Sequence, residues 1–313
     1  TAGAEALDAV QQQSKLRHKP RVIFSMPELP EVETVRRSVE NAVVGARIVQ
    51  VEVGRERTVR RSSKQALIAG LHHETIVAAR RHGKYLLFDL SSGNVMMVHL
   101  RMSGRLLLAA PGDVREKHTH VVLTLEKKNE AVRELRFIDP RTFGEVVVYN
   151  PDDDNTEAGT ESLVPEVARL GLDPLTGNFT FEAFRDRFTK GNRGVKALLL
   201  DQSVVAGIGN IYADEILHRA RLRWNHLSAT LSTKHLRELH RHIGAVLAEA
   251  VAAGGSTLAD TQYVDALGKE GIFQTEHRVY ARQGERCRTC GRGIIKRVMG
   301  AGRSTHFCPV CQK

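Results

Sequence analysis

Cys287-Arg-Thr-Cys290 and Cys308-Pro-Val-Cys311 contain every cysteine of the chain, with 17 residues between them. Each Cys-x-x-Cys turn can offer two thiolates to one ion, and two such turns complete the tetrahedral set that zinc takes in structural sites. Four thiolates leave no open coordination position, so the ion is expected to fold a segment poor in apolar residues rather than to catalyse. The competing interpretation is a pair of disulfides or a redox dithiol, which suits a secreted chain. The first 25 residues lack the apolar core of a secretory signal, so reduced cysteines in an intracellular protein are expected.

The surroundings of these turns are basic. Between Glu276 and Lys313 nine Arg and Lys stand against two Glu, so +7 of the chain's net +10 lies in its last 38 residues. Such charge on a metal-held hairpin points to a polyphosphate backbone, with salt-dependent binding. A solvated basic tail is the plain alternative.

The elements that must hold this hairpin fall into two halves. A chain of 313 residues with 42% hydrophobic content is long enough for two cores. No stretch is long and apolar enough to span a bilayer, so a cytoplasmic protein is expected, and a hairpin that binds a polyphosphate backbone would make it nucleoid-associated. Spacing of Val32, Val35, Val39 and Val43 behind Pro30 predicts a helix over 31–43. Eight short β-rich runs follow, at 47–53, 75–79, 84–90, 94–100, 105–109, 120–125, 132–138 and 145–149, and without alternating helices they predict a sandwich or barrel. The run 150–161 carries five acids and no base and reads as a linker. Beyond it, Phe181, Phe184 and Phe188, then 195–200, 211–217 and 236–250, have helical spacing. The fold class is therefore α+β. The expected division is a polar extension at 1–25 outside the mature protein, a β-sandwich domain at 26–150, a linker at 151–161, a helical domain at 162–275 and the hairpin at 276–313.

Met26-Pro-Glu-Leu-Pro-Glu-Val-Glu-Thr34 resembles the start of the formamidopyrimidine-DNA glycosylases, bifunctional base-excision repair enzymes. The likeness continues in family order through Gly83-Lys-Tyr-Leu86, His99-Leu-Arg-Met-Ser-Gly104, Glu116-Lys-His118, Asp139-Pro-Arg-Thr-Phe-Gly144, Asp201-Gln202, Gly207-Ile-Gly-Asn-Ile-Tyr212, Gly254-Gly-Ser-Thr257, Val279-Tyr280 and the cysteine hairpin. It spans Met26 to Lys313. The resemblance implies a β-sandwich flanked by helices, then a helix–two-turns–helix domain with a four-cysteine zinc finger, acting as a monomer on damaged double-stranded DNA with one structural Zn2+ and no further cofactor.

It also implies roles. Pro27, as an N-terminal secondary amine, would attack the sugar C1′ while the damaged base leaves. An internal proline nitrogen is an amide and cannot do so; 25 residues precede Met26 here, so a start at Met26 or removal of the leader is expected. Glu28 would handle protons as the base departs and the ring opens, with Glu31 in support one helical turn along and Glu33 a solvated helix-face carboxylate. Lys84 would link the nucleophile's neighbourhood to the phosphate backbone and donate a proton in β-elimination. Met102, Arg141 and Phe143 would enter the duplex in place of the everted nucleotide, and a guanidinium facing cytosine suits a guanine lesion. His118, Arg193, Lys196 and Asn210 would contact the backbone, Asn210 at a helix start after Gly207-Ile-Gly209 whose free amides and positive dipole end attract phosphate. Arg303, at the hairpin, would bind phosphate and assist δ-elimination. Thr257 and Tyr263 are candidates for holding the everted base. On spacing alone, Pro27 and Pro30 are also helix-start prolines, Glu28, Glu31 and Lys84 surface charges, Phe143 a core residue and Asn210 an N-cap.

The function implied is excision of oxidised purines with β,δ-elimination. Three alternatives stand beside it: an endonuclease VIII-like enzyme for oxidised pyrimidines, a silent damage-binding paralogue with Pro27 locked inside the chain, and a zinc-ribbon transcription factor.

Overall fold

The computed structural model describes residues 26–152, 164–258 and 263–313. The expected leader at 1–25, and all of the linker beyond Asp152, lie outside the described residues. Helix α1 (Leu29–Val43) begins two residues earlier than its valine spacing predicts, because Pro30 fits the first turn and the Glu31 carboxylate accepts the Glu28 amide at 2.9 Å. Its apolar stripe serves two cores. Val32, Val35, Val39 and Val43 pack into the sandwich, whereas Leu29 belongs to the helical core.

The eight strands are β1 (Arg47–Val53), β2 (Ile76–His82), β3 (Tyr85–Leu90), β4 (Val95–His99), β5 (Arg105–Ala109), β6 (Thr119–Glu126), β7 (Arg133–Ile138) and β8 (Glu145–Tyr149). They form two antiparallel four-stranded sheets, ordered β1-β6-β7-β5 and β2-β3-β4-β8. Strand β4 is buried along its whole length. Met96 and Val98 face the core between the sheets, while Val95 and Met97 pack with Val164, just beyond the linker. A sheet covered on both faces explains why this strand reads as a continuous apolar run. Helix α2 (Lys64–Leu71) was not expected; Ser63 caps it by accepting the Ala66 amide, and Leu67 and Leu71 bury its inner face.

The second half comprises α3 (Pro165–Ala168), α4 (Phe181–Phe188), α5 (Val195–Leu200), α6 (Asn210–Arg219) and α7 (Thr233–Ala252). Leu236, Leu239, Ile243, Val246, Leu247 and Ala250 line the buried face of α7. Strands β9 (Lys296–Gly300) and β10 (Arg303–Phe307) then form a hairpin, with Gly300 opposite Arg303. Its two turn residues, Ala301 at φ 51° and Gly302 at φ 70°, are both left-handed, as a two-residue turn matched to strand twist requires. The hairpin's own apolar cluster is small, comprising Val279, Ile295, Cys287 and Cys308. A core of this size suits a segment whose folding is supported by a metal.

Candidate functional site

Helix α6 organises the site. Its first amides are not free for an anion from solution, as Gly207-Ile-Gly-Asn210 suggested; Glu28 already occupies them. The Glu28 carboxylate, 2% exposed, accepts the amides of Gly209 at 2.7 Å, Ile211 at 2.9 Å and Tyr212 at 3.4 Å. The glycines are needed for this approach. A Cβ on Gly209 would sit 2.3 Å from Glu28 Cδ, and one on Gly207 2.6 Å from Leu29, so the N-terminal segment and α6 meet only because both positions lack side chains. Burial pushes the Glu28 carboxyl above its ordinary pKa, against the lowering by Lys84 and the three amides.

Glu31 lies behind Glu28. It accepts from Tyr212 Oη at 2.5 Å and from the Ser256 amide at 2.7 Å. Burial first, and the Glu28 charge second, push it to about 7. Glu33 departs from expectation: it is 7% exposed and accepts from Arg36, Arg37 and Arg81. Arg81 also bonds Asp173, whose carboxylate accepts the Gly83 amide at 2.8 Å, so residues from both halves fix the turn before Lys84.

A cleft of about 580 Å³ runs between the sandwich, α6 and the hairpin, and Met26, Glu28, Lys84, Met102, Asn210 and Arg303 share its lining. Pro27 is buried at its edge, with its nitrogen in the Met26–Pro27 peptide. Lys84 is 7% exposed; burial pushes its ammonium down, opposed by Glu28 and Glu31 and reinforced by Arg303. Asn210 is the first residue of α6 and Gly209 is the cap. The Asn210 Oδ1 is a buried oxygen with no partner among the described residues.

Two loops carry the residues expected to enter the duplex, and one of them lines the cleft through Met102. Met102 is half-buried, and Arg141 and Phe143 are exposed on the other loop, with the Arg141 guanidinium 5.1 Å from the Phe143 ring centre. One carboxylate joins the loops. Asp139, fully buried, accepts from Ser103 Oγ at 2.5 Å, from the Arg141 amide at 3.1 Å and from the Gly144 amide at 2.7 Å. The carbonyl of His118, left-handed at φ 71°, accepts the Asp139 amide. Arg193 is exposed and pairs with Asp201 at 2.7 Å.

Lys196 is not where a phosphate contact must be. It is fully buried and donates to Asp214 at 2.6 Å, Thr305 Oγ1 at 2.8 Å and the Ser304 carbonyl at 3.1 Å. It anchors the hairpin beside Arg303 instead. Asp214 also accepts the His306 amide at 2.7 Å, and Glu215 accepts the amides of Arg278, Val279 and Tyr280 at 2.8 to 3.0 Å. Thr257 and Tyr263 likewise bond inward: Thr257 Oγ1 donates to the Tyr263 carbonyl, and Tyr263 Oη to Glu31 and Gly254 carbonyls.

Sequence reasoning missed Asp139, Glu145, Tyr212, Asp214 and Glu215 as organising residues, and missed His99, Arg101 and Tyr280 in the cleft lining. The available signal was that each lies in or beside a quoted motif. The four cysteine sulfurs lie within 4.8 Å of one another. Cys287 and Cys311 are 3.7 Å apart and Cys290 and Cys308 3.8 Å, too far for disulfides and suited to one tetrahedral ion. Amides of Gly293 and Cys311 point at Cys290 and Cys308 Sγ, supporting thiolates from behind.

The family profile for the formamidopyrimidine-DNA glycosylase N-terminal domain matches residues 26–146, that for its H2TH domain 170–262, and that for the zinc finger found in FPG and IleRS 284–313. A formamidopyrimidine-DNA glycosylase from Nocardioides sp. is 43% identical over 92% of this chain and 94% of its own length. The chain belongs to the formamidopyrimidine-DNA glycosylase family. The Halalkalibacterium halodurans glycosylase is 40% identical over 92% of the chain and all of its own. Among solved structures, Lactococcus lactis Fpg bound to abasic-site DNA superposes with a TM-score of 0.79 at 35% identity, covering 91% of this chain and 99% of that one. The protein is thus a DNA glycosylase of base-excision repair, with the α+β fold of that family and a structural zinc in its hairpin. Among the described residues no helix is long and apolar enough to cross a membrane.

Proposed function

We propose that this glycosylase removes oxidised purines, such as 8-oxoguanine and formamidopyrimidines, from duplex DNA through a Pro27 Schiff base, and then cuts the strand by β,δ-elimination. The observation that carries this is the convergence of Glu28, Lys84, Met102 and Arg303 on one cleft, with Pro27 lying between two of its lining residues, Met26 and Glu28. Once Met26 is removed, the Pro27 nitrogen has a free lone pair. It attacks C1′, the glycosidic bond breaks and the base leaves with a proton. The sugar ring opens as O4′ is protonated, and nitrogen and C1′ become an iminium. Glu28, held toward its protonated form by burial, supplies the proton to O4′. Loss of a C2′ proton then expels the 3′ phosphate, and a further proton loss expels the 5′ phosphate. Lys84 and Arg303 stabilise those phosphates as negative charge builds up.

DNA as partner is further supported by the related Lactococcus lactis structures, which include a complex with Fapy-dG DNA at a TM-score of 0.80 and 34% identity. Another of them holds oxidised-pyrimidine DNA, which keeps the pyrimidine alternative open as a second substrate class. Borohydride trapping decides between these. A chain starting at Pro27 is expected to form a covalent adduct with an 8-oxoguanine:cytosine duplex and a weaker one with an oxidised-pyrimidine duplex, and a chain retaining residues 1–26 none. Binding without any adduct, with Pro27 free, would leave a silent damage-binding protein.

A further inference from the structure

Glu145 is a second buried carboxylate beside the loops, and it has no part in the chemistry above. It lies on β8 opposite His99 of β4 and is 1% exposed. Three guanidiniums converge on it. Arg60 Nη2 donates to Oε1 at 2.5 Å, Arg61 Nε to Oε2 at 2.6 Å and Arg101 Nη2 to Oε1 at 2.9 Å. Arg61 extends the cluster to Glu166 at 3.1 Å, beyond the linker. Three positive and two negative charges leave the cluster at +1. Burial alone would raise the Glu145 carboxyl, but hydrogen bonds and charge from Arg61 and Arg101 hold it below its ordinary value, so it is ionised.

Each of two arginines leads to one DNA-facing residue. Arg101 precedes Met102 and lines the cleft. It sits at φ 53°, donates its amide to His99 Nδ1 at 2.9 Å and leaves its Nε buried without a partner among the described residues. A non-glycine residue persists in this conformation only where its surroundings over-determine it; here His99 holds the Arg101 amide and Glu145 holds its guanidinium. Arg60 Nη2 also reaches the Phe143 carbonyl at 3.5 Å, and Arg57 lies 6.0 Å from the Phe143 ring centre.

We propose that Glu145 is a positioning residue for duplex insertion: through Arg101 and Arg60 it sets Met102 and Phe143 as one rigid wedge relative to the cleft. Its effect falls on eviction of the damaged nucleotide and not on the lyase step. This rests on the base-excision reading, since it needs a nucleotide to be everted.

The test uses Glu145→Gln in the chain beginning at Pro27. Three readouts are compared with the parent: excision from an 8-oxoguanine:cytosine duplex, cleavage of a preformed abasic site in single-stranded DNA, and fluorescence of 2-aminopurine placed opposite a tetrahydrofuran abasic analogue. The last needs no catalysis. Loss of one stacked insertion corresponds to about tenfold or more. Duplex excision is therefore expected to fall about tenfold and the insertion signal to be lost, with single-strand cleavage within about twofold. Arg60→Gln, at a partly exposed side chain that is not part of the cleft lining, is expected to give the same split, and the double variant to be no worse than Glu145→Gln, as members of one unit behave. Arg60→Gln carries the test if Glu145→Gln does not fold. Equal losses on both substrates, or an unchanged 2-aminopurine signal, would overturn the proposal. If the parent chain inserts into the analogue but excises nothing, the proposed activity fails while the wedge proposal is still decided by fluorescence.

Discussion

The inside of the site is acidic and the outside is basic. Around α6 the carboxylates of Glu28, Glu31, Asp214 and Glu215 are each at most 2% exposed and take backbone amides. Arg297 and Arg303 are exposed in the cleft lining, and Arg141 and Arg193 are exposed elsewhere on the surface. Negative groups are thus consumed internally in joining the two halves and the hairpin, so the field presented outward is that of the arginines. Charge balance over the whole chain hides this division. Under the proposed function the inner set would fix geometry and proton transfer, and the outer set would meet the phosphates.

The largest break of this contrast is Glu28→Gln. The amide keeps the size of the side chain but cannot deliver a proton or accept all three amides as a carboxylate does. Excision under single-turnover conditions is expected to fall by about 10² to 10⁴-fold, the usual worth of a positioned acid, with duplex affinity nearly unchanged. A loss of affinity of the same size would move Glu28 to the outer set.

Lys196 and Asp214 test the inner set where it holds the hairpin. Lys196→Met leaves Asp214 buried with only the His306 groups, and breaking such a pair costs about 3 to 5 kcal/mol. The melting temperature is expected to drop on the order of 10 °C for a chain of this size, and zinc to be lost more readily to a chelator. Unchanged melting would show that the Lys196 contacts contribute little.

Glu31 sharpens the comparison through pH. Its folded value of about 7 lies above the ordinary 4.5, so folding takes up a proton between these values. Stability is therefore fully present below about 4.5, declines as pH rises toward 7, and is lower and flat above it. The slope is at most about 1.4 kcal/mol per pH unit, or roughly 3 kcal/mol over the window. Glu31→Gln is expected to flatten that part of the curve. An unaltered slope in urea titrations between pH 5 and 7 would assign it to other groups.

Much of this division was legible in the sequence. The cysteine turns, the basic hairpin and the helical spacing of α1 and α7 depend on local pattern, and the motifs singled out Glu28, Lys84 and Met102, which share one cleft. What the sequence hid was which charges are buried. Glu33 reads as a helix-face carboxylate until Arg81 and Asp173 arrive from β2 and from beyond the linker. Lys196 reads as a surface cation until Asp214 and Thr305 enclose it. Gly209 reads as part of a phosphate loop until Glu28, 181 residues earlier, fills the helix terminus. Helix α2 escaped notice because eight residues with two buried leucines give little periodicity. In each case the deciding partner is distant in sequence, and a charge has no periodic signature.

The smallest expected effect falls on Arg193, the outer-set cation that already has a partner. Its Nη1 bonds Asp201 at 2.7 Å, with about half of the side chain exposed. An exposed pair of this kind contributes about 0 to 1 kcal/mol to stability, so Arg193→Ala should leave melting unchanged. A phosphate contact instead shows itself in the salt dependence: each neutralised phosphate adds about 0.9 to the slope of log affinity against log salt on duplex DNA. Arg193→Ala is expected to lower that slope by about 1, equally for lesion-bearing and intact duplexes, and to leave single-turnover excision at saturation within about threefold. A slope unaltered by the substitution would mean that Asp201 keeps the guanidinium, and the contrast between inner and outer charges would then exclude α5's leading loop. A change confined to lesion-bearing DNA would place Arg193 with the residues that recognise the everted nucleotide.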